Sequence, residues 1–89
     1  MNKKQRKELE KIQDRISAVQ SDIQDIRCDL EGIRDEEEEK KDNLPEQFQY
    51  GDMAEKMQDG IDQLDYLMDE LDNADSTLQE VYDGINELL

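Results

Sequence analysis

Side chains able to do chemistry are plentiful here but narrow in kind: 26 Asp and Glu, one cysteine and no histidine among 89 residues. Paired carboxylates can act as general acid and base, but only where apolar burial lifts the pKa of one of them. No pair in this chain stands out from the rest in that way. Cys28 has no histidine base and no metal-ligand cluster to activate its thiol, and reads as a surface cysteine. A calcium loop needs acids at its first, third and fifth positions, Gly at the sixth and Glu at the twelfth. Neither Asp59-Gly60 nor the stretch Asp69–Asp75 fits that spacing. A di-iron bundle site needs Glu-x-x-His and is excluded by composition. The expectation is a protein without catalysis, metal or cofactor.

The carboxylates do form two patterns. One is the run Asp35-Glu36-Glu37-Glu38-Glu39 ahead of Lys40-Lys41. It reads either as a solvated helix end, with Glu36–Lys40 and Glu37–Lys41 pairs one turn apart, or as part of an acidic docking surface. The second pattern is Glu55, Asp59, Asp62, Asp65, Asp69, Asp72, Glu80, Asp83 and Glu87, which recur at helical spacing. Between Asp52 and the C-terminus only Lys56 is basic. On a helix these residues make a carboxylate ridge about 45 Å long. Self-repulsion along such a ridge costs stability, so it serves either solubility or a basic protein partner. As a binding surface it would act by imitation, its carboxylates filling a groove built for phosphates.

Two helices are needed to carry these residues. From Leu9 to Ile33 the apolar positions are Leu9, Ile12, Ile16, Val19, Ile23, Ile26, Leu30 and Ile33, spaced alternately three and four apart. That is a heptad seam, with Leu9, Ile16, Ile23 and Leu30 at position a and Ile12, Val19, Ile26 and Ile33 at d. The first helix is expected over residues 1–42. Residues 43–52 form a connection: Asn43-Leu44-Pro45-Glu46 stops the helix and carries a capping-box pattern, Glu46–Tyr50 makes a short turn or a single helical turn, and Asp52-Met53-Ala54-Glu55 offers a second capping box.

The second helix is expected over residues 53–89, with Met57, Leu64, Leu71, Leu78 and Ile85 at a and Leu67, Ala74, Val81 and Leu88 at d. Gly60 takes the remaining d position, at a cost of about 1 kcal/mol relative to alanine. Its e row is apolar as well, with Ala54, Ile61, Met68, Tyr82 and Leu89 broken only by Asp75. A stripe that wide suits a helix with two or more neighbours.

Two helices of matched length on a short connection predict an all-α antiparallel hairpin, coiled-coil-like and forming a single domain. A lone hairpin would leave part of the wide stripe in water. Leu or Ile at a with β-branched residues at d disfavours two-stranded assemblies. The expected assembly is therefore a homodimer, two hairpins forming a four-helix bundle.

Composition bounds the partners. Charged residues make up 42% of the chain and the net charge is −15, which opposes direct binding to nucleic acid or an anionic membrane. Residues 1–15 hold six Lys and Arg against three acids. That basic head is expected to pair with Glu80, Asp83 and Glu87 at the end of the second helix. It also resembles the start of a signal peptide, but no apolar run follows it, and no segment approaches a membrane span. One cysteine cannot form an internal disulfide, which fits a reducing compartment, the cytoplasm.

The stretch Asp42-Asn43-Leu44-Pro45-Glu46-Gln47-Phe48-Gln49, followed by Glu55-Lys56-Met57, resembles small acidic helical proteins of phages, prophages and mobile elements of Gram-positive bacteria. The resemblance covers the connection and the second helix, about half of the chain. It implies a mobile-element origin and a helical fold, and brings no activity and no functional residue with it. The function expected is a non-catalytic interaction module whose acidic face binds, and in a sharper form inhibits, a basic nucleic-acid-binding or defence protein. The competing expectation is an assembly protein whose seam is its whole function.

Overall fold

The first helix starts on a reciprocal cap. The Asn2 side chain accepts from the Gln5 backbone N–H at 2.8 Å, and the Gln5 side chain accepts from the Asn2 N–H at 3.1 Å. This satisfies two of the donors that a helix start leaves without partners. In the computed structural model, which describes all 89 residues, α1 runs Lys3–Asp42 and α2 runs Asp52–Leu88, joined through a single 3-10 turn at Glu46–Phe48.

Lys40 and Lys41 lie in the last turn of α1, where positive charge meets the negative end of the helix dipole. The Asn43 N–H closes that end by donating to the Glu39 carbonyl at 3.0 Å. Pro45 then prevents α1 from continuing. The Gln49 side chain donates back to the Leu44 carbonyl at 3.0 Å and tightens the connection. Neither expected capping box, Asn43 to Glu46 or Asp52 to Glu55, is formed, and Pro45 precedes the short turn without a side-chain cap. Gly51 is the cap residue, without a side-chain bond, and Asp52 is already helical. Asp52 and Glu55 instead place negative charge in the first turn of α2, which the helix dipole favours.

The helices fold back on each other as an antiparallel hairpin, a rod of 70 × 15 × 11 Å. Bonds between the helices set direction and register. Along α1, Gln13 reaches Tyr82, Gln20 reaches Asp75, Arg27 reaches Asp72, Arg34 reaches Asp65 and Lys41 reaches Gln58. As the number rises on α1 it falls on α2.

Only five of the 89 residues are buried: Gln13, Ile16, Ala54, Ile61 and Met68. Leu9, Ile23 and Leu30 on α1, and Met57, Leu64, Leu71, Leu78 and Ile85 on α2, are half-buried. Position a of both helices therefore turns inward, together with the e row of α2. The rest of the apolar stripe does not. No helix is long and apolar enough to cross a membrane.

Candidate functional site

The five α1 residues that reach across to α2 stand seven apart, at position e: Gln13, Gln20, Arg27, Arg34 and Lys41. Each ends in a donor that α2 accepts. Gln13 Nε2 bonds the Tyr82 carbonyl at 3.1 Å, and Gln20 Nε2 bonds Gln79 Oε1 at 3.1 Å. Arg27 Nε sits 2.9 Å from an Asp72 carboxylate oxygen, and Arg34 is 2.9 Å from Asp65. Lys41 Nζ donates to Gln58 Oε1 at 2.8 Å. This polar flank zips the hairpin along one side. Its heptad period is present in the sequence, but a pattern of apolar positions does not mark it.

Hydrogen bonds from Arg34 to Asp65 and then to Asp35 favour its charged form and raise the pKa above arginine's ordinary value.

Because the e rows meet on one flank, the handedness of the two helices sends both d rows to the other. That flank is open. Ile12, Val19, Ile26 and Ile33 are between 41% and 53% exposed, and Leu67, Val81 and Leu88 between 38% and 48%. Met53 extends the α2 row and is exposed too. Between the rows lies a shallow hollow lined by Ile12, Ile16, Val19, Leu78 and Arg15. The apolar seam read from the sequence thus divides, with the a rows turned to the partner helix and the d rows facing water.

The acidic ridge divides as well. Asp65 and Asp72 point across the hairpin into the arginine pairs. Glu55, Asp62, Asp69 and Asp83 share position f on the outer face of α2, and Asp59, Glu80 and Glu87 line position c beside them; all seven are exposed. Asp62 accepts from Gln58 at 2.9 Å and Asp83 from Gln79 at 3.0 Å, so neutral amides are their only side-chain partners. None of the seven forms an ion pair.

The pairing expected between the basic head and Glu80, Asp83 and Glu87 is not formed. All four ion pairs in the molecule belong to Arg27 and Arg34. Lys3, Lys4, Lys7 and Lys11 lie at positions b, c, f and c of α1 and line an open hollow on its outer side, pointing away from α2. The Glu36–Lys40 and Glu37–Lys41 pairs are likewise not made, and Lys41 donates instead to Gln58.

Cys28 is exposed. No group of His, Cys, Asp and Glu side chains is gathered closely enough to hold a metal ion. Comparison with protein-family models, curated proteins and solved structures finds no match.

Proposed function

We propose that this chain is a non-catalytic helical interaction module whose outer α2 face binds a basic protein. The observation that carries this reading is the row Glu55, Asp62, Asp69 and Asp83, exposed along one line and free of ion pairs. The arginines that could have neutralised the row are engaged instead with Asp65 and Asp72, on the flank beside it that faces α1. A helix bearing such a row competes for protein grooves that recognise phosphate backbones. In its sharper form, suggested by the resemblance to mobile-element proteins, the partner is a nucleic-acid-binding or defence protein of the bacterial host, held inactive by the mimic.

The test is affinity capture from bacterial lysate at about 50 and about 500 mM salt, comparing the wild type with a variant carrying Ser at Glu55, Asp62, Asp69 and Asp83. Basic proteins that bind at low salt, elute at high salt and ignore the variant are the expected result. Capture that survives high salt, or that the variant retains, would refute the acidic face as the contact.

A second reading has its own observation. The d rows leave an apolar flank in water along most of the rod, which suits an assembly protein that works through its seam alone. In that case the four-serine variant keeps full function.

A further inference from the structure

We infer that the open flank is the docking face for a second copy of this chain, and that the two hairpins pack with their connecting tips at opposite ends. The inference concerns the flank away from the acidic row and does not depend on the acidic face having a partner.

Area comes first. The exposed parts of the d-row side chains amount to about 700 Å² of apolar surface, above the roughly 300–600 Å² of the largest patch on an ordinary monomer. Two such faces together can remove up to about 1,400 Å², which reaches the roughly 1,200–2,000 Å² of specific interfaces. The shape of the face narrows the occupant. It is a straight double row with its middle near Ile23 and Leu71, and it needs a rod of equal length with apolar residues at the same heptad steps. A second hairpin supplies that rod, and a two-fold axis through the middle matches the face to itself.

Charge decides the direction. Residues 1–15 and 76–89, at the open end, hold six basic and six acidic side chains and are neutral. Residues 31–58, at the tip, hold ten acids against four bases, a net −6. Packing with tips together sets −6 against −6 within a few ångströms. Packing with tips apart sets each tip against a neutral end that carries the lysines of α1, which α2 leaves without partners. The same alignment brings Leu67 opposite the second copy's Ala74, and Val81 opposite its Gly60, so large side chains meet small ones.

Three measurements on the intact chain test this. Sedimentation at about 10 µM should give twice the 10.5 kDa chain mass, and association should tighten as salt rises, since like-charged partners gain from screening. Ile26→Asp should weaken association at least about tenfold, because it puts a charge at the centre of an apolar interface. A Cys28→Ser, Gln47→Cys variant carrying a spin label should show a tip-to-tip separation near the 70 Å length of the rod. A helical monomer, a chain without helix, or a larger oligomer at that concentration overturns the proposal. So does wild-type association by Ile26→Asp, or a label separation of about 20 Å, the spacing of tips packed side by side. Ile26→Asp leaves the position f carboxylates untouched, so failure of dimerisation and failure of the acidic contact are read separately.

Discussion

Arg27 on α1 holds Asp72 on α2 at 2.9 Å through Nε, while its other arm holds Glu31, one turn along its own helix, at 3.1 Å. One heptad further on, Arg34 repeats the arrangement with Asp65 and Asp35. These bridges set the register of the hairpin on the flank where it is polar. Both pairs are partly exposed, so each contributes modestly. A double-mutant cycle on Arg27→Ala and Asp72→Ala should return a coupling of about 0.5 kcal/mol by thermal or urea unfolding, shrinking at high salt. A coupling of zero would mean that the bridge does not define register.

The bridges of Arg34 should be insensitive to pH around neutrality. Asp65 and Asp35 raise the Arg34 pKa, so arginine is protonated in the folded and unfolded chains alike throughout the neutral range. With no difference in bound protons there, the slope of stability with pH from this group is zero, and its contribution is lost only in strong alkali. The drop in unfolding midpoint caused by Arg34→Gln should therefore be the same at about pH 7 and about pH 9. A drop that differs between the two would point to another titrating group.

Burial separates two sets of apolar residues that look alike in sequence. Met68 is 3% exposed and Ile33 is 53% exposed. Met68→Ala should cost about 2–4 kcal/mol of hairpin stability, since it removes packed atoms and leaves a void. Ile33→Ala should cost less than about 1 kcal/mol within the single hairpin, where little of the side chain leaves water. Both values are read by denaturant unfolding at a protein concentration below any self-association. Equal costs would place Ile33 in a core of its own.

Gly32 sits in the interior of α1 with nothing within 4 Å of where a Cβ would stand. Gly32→Ala should therefore stabilise by close to 1 kcal/mol, through helix propensity alone. Calorimetry should show a higher unfolding midpoint and an unchanged mass. A lower midpoint would reveal a close neighbour at that face of α1.

Asn2 is the only residue whose side chain caps a helix here. Asn2→Ala should cost about 1 kcal/mol and loosen the first turn of α1, seen as faster amide exchange at Gln5 and Arg6, whose N–H groups Asn2 holds, with little change beyond the second turn. Protection unchanged at both amides would contradict the capping geometry.

The two helices, their lengths and their fold-back were written in local features. The three-and-four spacing from Leu9 to Ile33, the proline at position 45 and the matched second stripe require nothing distant to be understood. The apolar e row at Ala54, Ile61 and Met68 also signalled that α2 would have more to bury than one seam. Periodicity, however, identifies a stripe and not the half of it that meets the neighbouring helix. Position a lies between d and e, so a hairpin can close on a with d or on a with e. Here it closes on e, where α2 buries Ala54, Ile61 and Met68 and where Gln13, Gln20, Arg27, Arg34 and Lys41 are long enough to bond across to α2 from the edge of the contact. That choice exposes Ile12, Val19, Ile26 and Ile33 and takes Asp65 and Asp72 out of the acidic row. It also depends on which side chains α2 brings level with each residue of α1, a relation between positions some 30 to 70 apart in the chain, as in Arg34–Asp65 and Gln13–Tyr82. Local spacing carries no information at that separation, so only the packed pair of helices decides it.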